Sequence, residues 1–291
     1  MHPFNRRVAL RIASVSLLLA AAAGPLAWMV VQTQVEASSA SPALSAASAA
    51  MLSVLVCSGV LCLNMIRWNT ANERKAQEVL ESHISMMEAL GRAIAKRDSE
   101  TGAHNYRVAW ISATLGEAVG LAGSKMQELI AGSFLHDAGK IGIPDAILLK
   151  PGKLTPEEMD IMRSHVAMGE EIVTGAGWLE GGKDVVAGHH EKWDGSGYPR
   201  QLSGDDIPLA ARIFAIADVF DALCSKRPYK EPFPVELAME IMHQSSGSHF
   251  DPNLVQQFTR ISKTIHATAM NASEDEARAL METMVRKHFG A

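Results

Sequence analysis

The sequence predicts an all-α protein, a helical bundle preceded by a two-helix transmembrane hairpin and a short coiled-coil linker helix. Three observations predict it. Two long apolar runs open the chain, helix start signals recur through the remainder, and no stretch shows the apolar–polar alternation of a half-buried strand. With 291 residues there is room for one sizeable domain beside an anchor. The expected divisions are 1–67 for the anchor, 68–97 for the linker and 98–291 for the helical domain.

The first run, residues 8 to 31, continues after Arg11 for about twenty residues, enough to span the hydrocarbon of a bilayer as a helix. Arg6, Arg7 and Arg11 precede it, which places the start of the chain in the cytoplasm. The second run, from about Ala46 to Ile66, carries no charge and closes on Arg67 and Trp68, with Arg74 and Lys75 beyond. Both ends of the hairpin then face the cytoplasm, and the loop outside is too short to fold as a sensor. Basic, apolar and small-residue regions in that order also describe a secretory signal peptide. Even so, the second run anchors the chain, and its basic flank keeps the remainder cytoplasmic. The expected location is the bacterial inner membrane, multi-pass, in contact with lipid.

From Asn69 to Arg97, Ala76, Leu80, His83, Met87, Leu90 and Ile94 recur at spacings of four and three, the seam of a short parallel coiled coil and hence of a homodimer. His83 on that seam reads as a packed residue. Further helices are expected around 105–121, 124–137, 156–174, 182–190, 208–225, 234–245, 252–266 and 273–289. Thr155-Pro156-Glu157-Glu158 has the form of a capping box with proline in the first turn, and Asp251-Pro252 and Ser273-Glu274-Asp275-Glu276 are two more starts.

A net charge of −5 without a basic face argues against binding a nucleic acid polymer. Cys57 and Cys62 lie in the apolar run and Cys224 stands alone, so no disulfide framework is expected. The chemistry-bearing residues centre on Leu135-His136-Asp137-Ala138-Gly139-Lys140. On a helix His136 and Lys140 share a face, while Asp137 points roughly 100° away and can serve a second ion. Glu100 and His104, four apart, can converge on one ion. His165 and Asp218 add a ligand each, and the adjacent His189 and His190 diverge to different coordination positions. Five imidazoles and three carboxylates exceed what one tetrahedral zinc takes. They suit two or three six-coordinate divalent ions such as Fe, Mn or Co.

His189-His190-Glu191-Lys192-Trp193-Asp194-Gly195-Ser196-Gly197-Tyr198-Pro199 resembles the signature of the HD-GYP family, a bacterial branch of the HD phosphohydrolases. The resemblance runs from about Asp98 to Phe258. It takes in Thr101 to Arg107, Lys150-Pro151-Gly152, Ile207-Pro208, Ala217 to Leu223, Arg227-Pro228-Tyr229-Lys230 and His249-Phe250-Asp251-Pro252. It implies an HD-domain helical bundle that hydrolyses cyclic di-GMP to pGpG, or onward to GMP as family members often do, with Fe or Mn as the expected metal. By the same resemblance, His104, His136, Asp137 and Asp218 form the basic metal site. His165, His189 and His190 add a further ion bridged by Asp137, and Glu100 helps to hold a third. Lys140 and Tyr198 match phosphate contacts, and Arg227 and Lys230 match further substrate-binding positions. Asp137 and Lys140 are the residues expected to take part in catalysis, which needs no covalent nucleophile.

The glycine-rich loop after the doublet has two readings. It shapes the chain and touches substrate, or it docks a diguanylate cyclase domain, a reading that an exposed Trp193 or Tyr198 would favour. The alternative to an enzyme is a catalytically silent nucleotide receptor or scaffold, against which the full ligand set argues. A hydrolase for another cyclic dinucleotide is a third reading.

Overall fold

The computed structural model describes residues 42–97, 102–175, 177–226 and 231–289, together with Trp28, Met29 and Gln32. Most of the first apolar run and of the loop after it lies outside the described residues, as do Glu100, Arg227 and Lys230. Every described element is helical. Two isolated single-pair bridges, Asp194 with Ser203 and Ser246 with Phe250, are the only β contacts among the described residues.

Helix α1 runs unbroken from Pro42 to Arg97. The apolar run and the linker were expected as separate helices, but no glycine or proline occurs between Gly59 and Gly91 to end the first. Among the described residues α1 is the one helix long and apolar enough to cross a membrane, by length and composition, with the candidate span beginning at Ala50. Its large side chains there, such as Val54, Leu61 and Leu63, are exposed.

Two compact units divide the chain, one to Leu80 and the other from Glu81 to Phe289. In the second, the last turns of α1 join the body: Ile94 is buried and Leu90 packs against the core. The C-terminal end of the expected coiled-coil seam is therefore used inside the chain. The centre of this unit is α2 (Gly102–Ala118) crossed by α3 (Ser124–Leu135) and α8 (Leu209–Cys224). Both α2 and α8 are apolar around most of their circumference, as befits helices packed on several sides. Phe214 and Phe220 of α8 and Phe258 of α10 (Pro252–Ala269) are fully buried, each worth roughly 2–3 kcal/mol. Cys224 is buried with them. Outside pack α10, α9 (Val235–Gln244) and α11 (Glu274–His288), whose polar faces meet solvent. The capping boxes at Thr155 and Ser273 both form, and Asp251 caps α10 by accepting from the Asn253 N–H.

The stretch expected as one helix over 156–174 is two, α5 (Pro156–Arg163) and α6 (His165–Val173), after the short α4 (Asp145–Leu148). The Ser164 hydroxyl donates to the Ile161 carbonyl at 2.6 Å, and His165 Nδ1 donates to the Met162 carbonyl at 2.7 Å. Those carbonyls would otherwise serve the next turn, so the helix breaks and re-aims at His165. A 3₁₀ turn at Ala138–Gly142 packs on α6 so closely that a Cβ on Gly139 would lie 1.8 Å from the His165 carbonyl oxygen. Gly139→Ala should therefore push the two apart, costing about 2–3 kcal/mol in chemical denaturation. Bound metal, measured by elemental analysis, should fall with it.

Candidate metal centre

Three of the candidate ligands stand where helices end. His136 is the C-cap of α3, His189 is the C-cap of α7 (Lys183–Gly188), and His165 follows the cap of α5. The last carbonyls of a helix lack intrahelical partners, and each imidazole takes one. His136 Nδ1 donates to Ser133 O at 2.9 Å, His165 Nδ1 to Met162 O at 2.7 Å, and His189 Nδ1 to Val186 O at 2.9 Å. A carbonyl only accepts, so the proton of each neutral ring sits on Nδ1 and Nε2 presents a lone pair. His104 on α2 follows the same rule with a carboxylate, Nδ1 donating to Asp221 Oδ2 at 2.8 Å. All four rings are buried.

The lone pairs converge. His165 Nε2 lies 3.3 Å from His189 Nε2, His136 Nε2 lies 3.0 Å from Asp137 Oδ2, and His104 Nε2 lies 3.6 Å from Asp218 Oδ1. With neutral rings each of these pairs sets acceptor against acceptor, which is repulsive unless a cation lies between them; at His136 a proton can take that place, since Asp137 accepts from the charged ring. Three of the histidines decline the proton: burial, then the charge of neighbouring imidazoles, holds His189 well below the ordinary range and His190 at about 3. Burial lowers His165 as well. His136 runs the other way, its burial outweighed by the charge of Asp137. Against its own burial, the Asp137 carboxyl is held well below the usual range by His136 and Lys140. Neutral imidazoles facing ionised carboxylates are the donor set that borderline divalent ions take. The residues present fit metal.

Asp137 stands in the middle. Its Oδ2 faces His136 and accepts from Lys140 Nζ at 2.7 Å, while its Oδ1 lies 3.5 Å from His165 Nε2. The two oxygens thus turn toward two groups of imidazoles. One group is His136 with His104, ring centroids 5.8 Å apart. The other is His165, His189 and His190, whose ligand atoms lie within 4.8 Å of one another. Two expectations change here. The helix ends before Lys140, which arrives on the 3₁₀ turn and pairs with Asp137 instead of sharing a face with His136. His189 and His190 do not diverge, because α7 stops at Gly188 and the turn brings their centroids to 4.1 Å. Seven of the eight expected ligands therefore gather in one region, and Glu100 is outside the described residues.

Several supporting residues escaped the reading of the sequence. Asp221, one turn beyond Asp218 on α8, is fully buried and also accepts from Arg107 Nη2 at 3.0 Å. Despite its burial, His104 and Arg107 lower its carboxyl to about 2. Arg97, the last residue of α1, donates to the Ile141 carbonyl, to Ile143 O at 3.0 Å and to Asp145 at 2.7 Å, fastening the segment after Lys140. Buried Glu191 accepts from the backbone N–H of Arg200 at 2.7 Å and of Leu202 at 3.0 Å. The signal for Glu191 was its place beside the doublet; Arg97 carried no local signal.

Gly197 has no room for a side chain, since a Cβ would lie 2.4 Å from Lys192 N and 2.6 Å from His190 O. Its glycine is explained by shape. Trp193 is half-buried beneath the Arg212 guanidinium, 5.5 Å from its ring, and Tyr198 is half-buried against His190 with centroids 4.6 Å apart. Neither offers the exposed aromatic that cyclase docking would favour.

Removing Arg107 with alanine strands the Asp221 charge and should cost roughly 3–5 kcal/mol in denaturant unfolding. The pH response of the metal-free protein follows from the imidazoles. Below about pH 6.5 the unfolded chain binds protons that folded His165, His189 and His190 refuse, so the unfolded state gains and stability falls. His136 offsets only one of the three. The melting temperature of the metal-free protein should drop between pH 6.5 and 5; a level profile would count against a neutral cluster.

The model of the HD domain family matches residues 88–254. A cyclic di-GMP phosphodiesterase of Thermotoga maritima is 41% identical over 199 residues, covering 66% of this chain and 54% of that protein. A 3′3′-cGAMP-specific phosphodiesterase of Vibrio cholerae is 46% identical over 181 residues, covering 62% of this chain and 35% of that protein. The chain thus spans from about a third to about half of these relatives' length. Among solved structures, a cyclic GMP-AMP-specific phosphodiesterase of Vibrio cholerae shares the fold with a TM-score of 0.54 at 19% identity, covering 70% of this chain and 58% of that one. The chain belongs to the HD domain family, and its His189–Pro199 motif resembles that of the HD-GYP branch.

Proposed function

We propose that this protein is a metal-dependent phosphodiesterase that opens cyclic di-GMP to pGpG and on to GMP. The observation that carries the reading is the convergence of imidazole lone pairs and carboxylates on either side of Asp137, with Lys140 at its edge. His104, His136, Asp137 and Asp218 would hold one ion, and His165, His189 and His190 a second with Asp137 between. Glu100 would serve a third, and Fe or Mn is the metal proposed. Such ions supply Lewis acidity toward a phosphodiester and toward water at neutral pH.

The chain's own groups do the rest. Lys140, held by Asp137, places an ammonium where charge grows on the phosphoryl oxygens. Burial pushes the Tyr198 hydroxyl up to about 12, so it stays protonated and can donate to a phosphate oxygen. Arg227 and Lys230 are proposed as further substrate contacts. The site is walled by Phe214, whose ring lies 4.7 Å from that of His136 and limits water on that side.

The proposed organisation is a two-helix anchor over 1–67 in the inner membrane, a linker over 68–97 that pairs two copies, and a catalytic domain over 98–291 in the cytoplasm. The seam N-terminal to Leu90 supports the dimer, and a diguanylate cyclase domain is a proposed partner through the loop at Gly195–Pro199. Because one relative is specific for 3′3′-cGAMP, the substrate panel must include it. The test is turnover by the full chain in detergent, purified without oxygen and loaded with Fe or Mn, beside His136→Ala/Asp137→Ala. Conversion of cyclic di-GMP by the wild type, with at least about a thousandfold loss in the double variant, is expected when ligands acting as a unit are removed. Nucleotide binding without turnover, metal content confirmed, would instead support a receptor.

A further inference from the structure

Arg163 is the last residue of α5 and lies two positions before His165. Its guanidinium carbon stands 5.2 Å from the centroid of the Tyr198 ring, and that ring stacks on His190 at 4.6 Å. The stack runs from the solvent edge to a candidate metal ligand: the Arg163 side chain is half-exposed, and Tyr198 and His190 are both half-buried. Among the described residues the carboxylate paired with Arg163 is Asp160 at 3.3 Å, three-quarters exposed, so water screens it and the pairing is weak. Lys140, by contrast, is held inward by Asp137 at 2.7 Å. Among the described residues, Lys140 is therefore a cation committed to the centre, and Arg163 a more exposed one whose donors can turn to a ligand.

A cyclic dinucleotide carries two phosphodiesters in one ring. When one lies at the metal centre beside Lys140, the other is displaced from it by the width of the ring, toward the rim. A guanidinium presents a planar fork that matches two phosphate oxygens. Its attachment to the Tyr198 face limits its freedom, so less entropy is lost on binding. We propose that Arg163 binds the second, non-reacting phosphodiester of the cyclic dinucleotide, making it a substrate-binding residue that selects for a ring with two phosphates. This rests on the phosphodiesterase reading above.

The experiment compares the full chain with Arg163→Ala and Arg163→Lys on cyclic di-GMP and on bis(p-nitrophenyl) phosphate, a diester with a single phosphate. Metal content and the circular dichroism spectrum are recorded for each. Loss of a charge-assisted contact is expected to lower kcat/KM for cyclic di-GMP roughly 10- to 100-fold. The change should lie in KM, with kcat nearly unaltered, and the lysine variant should recover part of it. Turnover of the single-phosphate diester should stay within about twofold, as expected where no interaction with it is removed. Equal losses on both diesters would overturn the proposal, because Arg163 would then act by holding Tyr198 and His190. Unchanged kinetics on cyclic di-GMP would overturn it too. A wild type that hydrolyses the single-phosphate diester but neither cyclic di-GMP nor 3′3′-cGAMP would remove the substrate reading itself, and this proposal with it.

Discussion

The structure depends on one constraint: an imidazole placed at a helix C-terminus hands its Nδ1 proton to a carbonyl three residues back. His136, His165 and His189 all obey it, from three different helices. The helix ends supply acceptors that would otherwise need water, and α3 and α7, which close on His136 and His189, also point the negative ends of their dipoles toward the same small volume, whereas α6 begins at His165. A cation is favoured there by backbone and side chain together. Outer contacts of this kind fix the tautomer and direction of metal-binding histidines, and here the outer contact is the chain itself.

The fourth imidazole cannot use this device, because His104 stands in the first turn of α2, where carbonyls are engaged and N–H groups face outward. It takes Asp221 instead, and Arg107 neutralises the carboxylate. A buried charge pair is costly unless its hydrogen bonds are complete. In this one, the guanidinium and the imidazole both serve Asp221. The α2–α8 packing that forms the core thus also sets the first of the candidate metal ligands.

Much of this was legible in the sequence, for physical reasons. Ligand identities are a matter of residue type, and Thr155 and Ser273 advertise helix starts through short-range hydrogen bonds that need no tertiary context. What failed were arguments that assumed continuing helices. Lys140 and the His189–His190 doublet were placed by helical periodicity, yet Leu135 and Gly188 are the last residues of their helices. The break at Ser164 comes from side chains competing for carbonyls, which periodicity does not register. The joining of 42–97 into one helix was missed because a change from apolar to charged composition is no reason for a backbone to stop. Arg97 meets its partners more than forty residues away, a distance over which sequence spacing carries no geometry.

Glu191 holds the loop that follows the doublet by two main-chain N–H groups, those of Arg200 and Leu202, and by no side chain of either. Every residue except proline offers the same N–H. This fastening by Glu191 is thereby uncoupled from the identity of the residues at the far end of the loop. Substitutions at 202 can drift or be selected without loosening this fastening, whereas the Arg200 guanidinium also donates to Glu170 at 2.6 and 2.7 Å, so the freedom to evolve new preferences beside the candidate metal centre lies at 202 and not at 200.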